Sequence, residues 1–392
     1  MTPITSNGEL ERFCAELAKR PFIAVDTEFM RETTYWPKLC LIQAAGPDLA
    51  AVIDPMAEGL DLKPFLELMA DAKIQKVFHA GRQDVEIFYN LGVIPHPLFD
   101  TQIAAMAAGF GEQIAYDALV RQMLRIDIDK SSRFTDWSRR PLSQTQLDYA
   151  AGDVIHLAEL YPMLRDRLER EGRLAWVEEE MAGLVDPANY DMSPENAWRR
   201  LKPRRHAPKY IAVFKAVAAW RERTAQTRDQ PRGRIIKDEA IDEIATQAPT
   251  DMDALSRLRA APKGFSGSRF APELLAVIRE ALASPEAHAP HVEKPKSQSP
   301  PQGAGAVVEL LKVLLKARAE DAGVASKLIA TVSDLEKIAN DDDADTPALQ
   351  GWRRDAFGED ALKLKRGELA LVLDGARVRV VEVRRAPRTP TE

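Results

Sequence analysis

The stretch from Phe22 to Phe29, FIAVDTEF, is an apolar strand interrupted by two acids, Asp26 and Glu28. Alternate residues of a strand face the same way, so these carboxylates project together, about 7 Å apart along the chain. Like charges so placed raise each other's pKa unless a cation lies between them. The pair therefore either stands in solvent at a strand end or forms a metal site.

At 392 residues the chain is too long for one core, and two or three domains are expected. Its 45% hydrophobic and 29% charged content fits a globular protein. No apolar run approaches the ~18 residues that span a bilayer. The start, MTPITSNGELERF, is polar and lacks the apolar segment of a signal peptide. The two cysteines, Cys14 and Cys40, build neither a disulfide scaffold nor a cysteine metal cluster. A cytoplasmic protein without a membrane partner is expected.

Ser6-x-x-Glu9 reads as a capping box opening a first helix. KLCLIQAA and AAVID read as two strands after FIAVD, joined through Gly-Pro-Asp, which predicts an antiparallel meander. IQKVFHA is a further strand, and RQDVEIFYN a helix closed by Gly92. Ser143-x-x-Gln146 caps a long helix, which Pro162 is expected to kink or divide. Residues 1–190 thus form an α/β domain, a sheet with flanking helices. Between Arg199 and Lys237 there are thirteen Lys or Arg and only two acids, Glu222 and Asp229, an excess of 13 − 2 = +11 on a chain whose net charge is −6. That asymmetry is the footprint of phosphate binding, although a charge run is often merely a solvated face. Helical spacing predicts an all-α domain over 205–285, a flexible Pro-rich linker over 284–306 and a second helical domain over 307–375. GELALVL is read with those helices, and 376–392 as a disordered tail.

Two more acids fit the opening pair. Asp84 follows the strand IQKVFHA where a helix begins, and Asp153 lies on the long helix, four residues after Tyr149 and on the same face. Taken singly, Asp84 is a helix N-terminal acid and Asp153 a surface residue. Taken together, four acids with no matching basic cluster point to divalent cations, and hard oxygen donors favour Mg²⁺ or Mn²⁺ over zinc.

VDTEF, then HAGRQD, then YAAGD within RPLSQTQLDYAAGDVIHL, resemble the three exonuclease motifs of the DEDD superfamily, in its tyrosine subclass. The flanking YWPKLCLIQ and RPLSQTQLDYAAGDV are similar to the ribonuclease D family, and the basic helical region resembles its HRDC domain. The resemblance implies an RNase-H-like mixed-sheet exonuclease domain followed by two small all-α HRDC-type domains. It implies a 3′–5′ exoribonuclease that trims tRNA precursors with 3′ extensions and releases nucleoside 5′-monophosphates. Carried over by position, Asp26, Glu28 and Asp153 hold one cation, Asp26 and Asp84 reach a second, and Tyr149 positions the attacking water. Gly81 and Gly152, where relatives carry larger residues, are tolerable neighbours.

The candidate RNA contacts are Thr27, Tyr35, Trp36, His79, Arg133, Arg204, Arg205 and Lys209. Tyr35 and Trp36 either stack on a base or cover apolar surface, and His79 is a core residue or a phosphate contact. Arg133, Arg139 and Arg140 meet phosphates or lie in a solvated turn. A monomer is expected. Two rival readings share these features: the same chemistry on single-stranded DNA, and a non-catalytic RNA-binding scaffold.

Overall fold

The meander, the crossovers and the long helix order the first module. The computed structural model describes residues 1–262, 264–289 and 303–383. Helix α1 (Asn7–Leu17) leads into strands β1 (Phe22–Met30), β2 (Lys38–Gly46) and β3 (Leu49–Ile53). There follow α2 (Lys63–Ala70), β4 (Gln75–Phe78), α3 (Arg82–Asn90), β5 (Leu98–Asp100), α4 (Thr101–Ala107) and α5 (Tyr116–Leu124). Helices α6 (Gln144–Arg170) and α7 (Leu174–Leu184) complete the module. The sheet order is β3-β2-β1-β4-β5. β1, β2 and β3 pair antiparallel, as short turns allow, whereas β1, β4 and β5 pair parallel through helical crossovers. The RNase-H-like mixed sheet implied by the motifs is the one found.

Glu28 pairs with Leu41 but Phe29 with Leu39, so Cys40 bulges out of β2 beside the second acid. Such bulges bend a strand and re-aim its side chains, and often sit next to active sites. Arg140 holds this one: it donates to the Cys40 carbonyl at 2.8 Å and makes a two-pronged pair with Asp54 at 2.6 and 2.7 Å. Arg140 is therefore a structural residue and not a phosphate contact.

The Ser143–Gln146 capping box forms, with both reciprocal bonds present. Pro162 neither divides nor ends α6, which runs unbroken for 27 residues. Ser6 does take the N-cap position of α1, but its hydroxyl donates to the Glu9 carboxylate at 2.7 Å and not to the box expected from the sequence. Along α6 the residues Leu147, Ala150, Val154, Leu157, Tyr161, Leu164 and Leu168 make a buried stripe, into which Asp153 is set.

Helix α8 (Pro208–Arg228) is buried on nearly all sides and forms the axis of the second module, against helices Asp238–Gln247 and Ala271–Ala283. A third core gathers Leu311, Leu314, Ile338, Phe357 and Ala361. Two expectations fail here. Residues 369–374 are not helical, and residues 377–382 are not a disordered tail: they are β6 (Leu369–Asp374) and β7 (Arg377–Glu382), an antiparallel hairpin. Asp374-Gly375, with Gly375 at φ +61°, is a hairpin turn signal hidden behind an apolar run also compatible with a helix. Residues 384–392 of the expected tail and 290–302 of the expected linker lie outside the described residues.

Both helical modules dock on the first. Tyr35, in the loop after β1, sits in the core of the second module at 8% exposure. Its hydroxyl bonds Glu222, and the Glu222 carboxylate, 1% exposed, also takes Arg200 and Arg232 at 2.6 Å. Asp229 accepts from the backbone N–H of Tyr35 and of Trp36, at 2.9 and 3.0 Å. On the third module Trp352 stacks on Trp176 at 4.2 Å, while buried Arg353 reaches Glu179 at 2.9 Å and Glu180. Gly109, at φ +80°, lets the chains approach: an added Cβ would lie 2.6 Å from the Gly323 carbonyl oxygen. Glu222→Gln strips two guanidinium groups of their shared carboxylate and is expected to cost about 2–4 kcal/mol. A denaturation midpoint equal to that of the wild type would show that the network does not hold the modules together.

Candidate active site

Strand β1 carries Asp26 and Glu28 on one face, and α6 lays Asp153 over them from the neighbouring layer. Carboxylate oxygens of the three lie within 4.8 Å of one another. Asp26 and Glu28 are half-buried and Asp153 is 8% exposed. Burial, then the neighbouring Asp153 charge, pushes the Asp26 carboxyl up to about 8. Burial followed by Asp26 and Asp153 pushes Glu28 to about 9. Burial raises Asp153 to about 7, although the Tyr149 hydroxyl one turn earlier hydrogen-bonds it and pulls in the other direction. Without a cation Asp26 and Glu28 hold their protons at neutral pH, while Asp153 is near the midpoint of its titration. With one, all three ionise, and an all-carboxylate donor set suits a hard divalent ion.

Asp84 is brought to the same place but not into that trio. It is 7% exposed near the start of α3, accepts a short hydrogen bond from Thr27, and has its carboxyl raised well above normal by burial and then by Asp26. Thr27 is thus an internal partner of Asp84 and not an RNA contact. Gly81, just before α3, is obligatory: an added Cβ would lie 2.5 Å from the Phe78 Cβ. Gly152 has open space, so only there is a larger residue tolerable.

Asp26 and Asp153 open on a cavity of about 560 Å³, lined also by Tyr149, His79, Tyr116 and Arg133. Tyr149 has its phenol pKa raised by burial and then by Asp153, so it stays protonated. Tyr116, which the sequence reading overlooked, donates its hydroxyl to the Asp153 backbone carbonyl. No local motif marks it; only the packing of α5 on α6 does. His79 lines the wall with both ring nitrogens engaged, Nδ1 with the Thr101 hydroxyl at 3.0 Å and Nε2 with the Ile114 carbonyl at 3.2 Å. It is a structural histidine with no nitrogen left for a phosphate.

Tyr35, a candidate base platform, is consumed in the second module, and Trp36 packs edge-on against it at 4.7 Å with 37% exposure. Of the basic run, Arg200 and Arg232 serve Glu222, Arg221 serves Asp238, Arg223 serves Glu195 and Arg204 lies 3.8 Å from Asp242. The +11 excess is therefore partly structural. Arg205 and Lys209 are exposed.

The 3′-5′ exonuclease family model matches residues 1–169, and the HRDC domain model matches residues 211–278. Ribonuclease D of Nitrobacter hamburgensis is 52% identical over 97% of this chain and 100% of its own length. Ribonuclease D of Granulibacter bethesdensis is 51% identical over 97% of this chain and 96% of its own. This chain belongs to the ribonuclease D family. The crystal structure of Escherichia coli RNase D, described as an exoribonuclease involved in structured RNA processing, superposes with TM-score 0.79 at 28% identity, covering 93% of this chain and 99% of that one. Like its family this chain is a 3′–5′ exoribonuclease, which removes the scaffold reading; the family depends on divalent metal, and the acidic cluster here offers the oxygen donors for one. Among the described residues, no helix is long and apolar enough to cross a membrane.

The raised carboxyl pKa values carry a sign. Between about pH 4, where unfolded carboxylates lose protons, and pH 7 to 9, where the folded ones do, the folded state binds more protons. Stability of the metal-free protein is expected to fall as pH rises through that window. In chelator the melting temperature should decline from pH 5 to 9, Glu28→Gln should flatten the decline, and Mn²⁺ should raise the melting temperature most at the alkaline end. A melting temperature that stays level in chelator and gains equally from Mn²⁺ at both ends would refute the cost of ionising the buried cluster.

Proposed function

We propose that this chain removes 3′-terminal nucleotides from RNA, notably 3′-extended tRNA precursors, at the Asp26–Glu28–Asp153 cluster, releasing nucleoside 5′-monophosphates. The observation that carries the reading is the meeting of the Asp26 and Glu28 carboxylates of one strand with that of Asp153, more than a hundred residues further on, at a cavity that Asp26, Asp153 and Tyr149 line. We read the exonuclease domain as residues 1–190 and the helical domains as 205–285 and 307–375, working as a cytoplasmic monomer.

Asp26, Glu28 and Asp153 would hold one divalent cation, and Asp26 with Asp84 a second, directly or through water; Mg²⁺ and Mn²⁺ both suit these oxygens. Bound cations supply charge that lowers the pKa of water and neutralises the leaving oxygen of a phosphodiester. The chain's own groups do the rest. The cavity is of the size that encloses a ligand like one nucleotide. The Tyr149 hydroxyl, fixed by Asp153, offers its oxygen to a water and so orients the attack; as a phenol it is no base. Arg133, at the cavity wall, meets the incoming phosphate.

The release of mononucleotides from a 3′-extended tRNA is the deciding assay, run with Mg²⁺ or Mn²⁺ and then with chelator. Asp153→Asn is expected to lower the rate at least about 10³-fold with the fold retained. Tyr149→Phe is expected to lower it about 10- to 100-fold, because the water is misplaced while the metal ligands stay. Wild-type turnover by Asp153→Asn, or faster digestion of a matched DNA strand than of RNA, would sink the proposal.

A further inference from the structure

The loop between α5 and α6 is held at several points. Ser132 and Trp137 are buried, and the Trp137 ring lies 6.1 Å from that of Tyr149. Thr135 donates to the Ser132 carbonyl at 2.8 Å and accepts from Gln146, in the first turn of α6, at 3.0 Å. Arg140 ties the far end to Asp54 and to the β2 bulge. From this anchored frame two side chains project. Arg133 lines the cavity, and its charge acts on both Glu28 and Asp153. Phe134 is 90% exposed, more than any other large hydrophobic side chain among the described residues, and the Arg133 guanidinium stands 5.2 Å over its ring.

A single exposed phenylalanine is ordinarily unremarkable. This one is set on a braced loop, next to the arginine of the catalytic cavity, in a protein whose substrate is a chain of aromatic bases joined by phosphates. We propose that Phe134 is a stacking platform for an unpaired RNA base just outside the cavity, with Arg133 taking the phosphate between that base and the cleaved nucleotide. The inference rests on the reaction being placed at the Asp26–Glu28–Asp153 cluster. Charge complementarity selects the occupant: a cation beside an aromatic face fits a single nucleic-acid strand better than an apolar peptide. Stacking on a ring is tolerant of sequence. That suits an exonuclease, whose substrate must advance by one nucleotide each cycle whatever base arrives. The other two aromatic candidates are compromised, Tyr35 by burial and Trp36 by its packing on Tyr35.

The test uses the full chain and single-stranded oligoribonucleotides in which 2-aminopurine, or an abasic site, is walked inward from the 3′ end. Phe134→Ala is expected to raise KM about 5- to 100-fold, the range of one lost base–aromatic stack. Its kcat and melting temperature should remain as in the wild type, and Phe134→Trp should restore KM. At one position wild-type protein should quench 2-aminopurine while Phe134→Ala does not. An abasic site there should weaken wild-type binding without weakening Phe134→Ala further. An unchanged KM, or a loss equal at every abasic position, overturns the platform. Quenching is read in chelator and needs no cleavage. Persistent cleavage by Asp153→Asn alongside position-specific quenching would therefore remove the site assignment and leave the platform standing.

Discussion

Three carboxyl groups share a largely buried space, and the cost of ionising them there, desolvation first and mutual repulsion second, is the condition the rest of the structure has to satisfy. Bringing Asp26, Glu28 and Asp153 within 4.8 Å destabilises the bare fold. Rigid elements impose the arrangement. Strand β1 is the central strand of the sheet, and α6 is a 27-residue helix with a complete capping box and a buried apolar stripe. The energy of that packing supports a cluster that a flexible loop would let fly apart.

The surroundings extend the same bracing. The β2 bulge lies opposite the acids, and Arg140 satisfies its carbonyl while fixing the loop that carries Arg133. The loop leaving β1 is in turn held by the second module through Tyr35, Glu222 and Asp229. The helical modules therefore do more than extend the surface: one is fastened a few residues beyond Glu28, and the other clamps α7 through Trp352 and Arg353.

Charge is used in two ways along the basic run. Arg200, Arg221 and Arg232 turn inward to acids of their own module, whereas Arg205 and Lys209 remain exposed. A charge total cannot separate these uses. An arginine fork bound to a carboxylate and one facing solvent have the same composition and differ only in their neighbours.

The sequence by itself determined the sheet-and-helix character of the first module, the α6 cap, and the acids with Tyr149. These follow from local rules: a period-two strand, a capping box, and the i, i+4 spacing of Tyr149 and Asp153. A misreading arose where a local signal admitted two answers, in the run Leu369–Asp374, apolar enough for helix or strand; at Pro162, of the two outcomes expected, division does not occur. Tertiary structure alone decided that Thr27 serves Asp84, that Tyr35 faces Glu222 and not a base, that Tyr116 touches Asp153, and that Phe134 stands out beside the cavity. The physical reason is that the direction and company of a side chain are set by contacts between residues tens to hundreds of positions apart, and no local spacing encodes them.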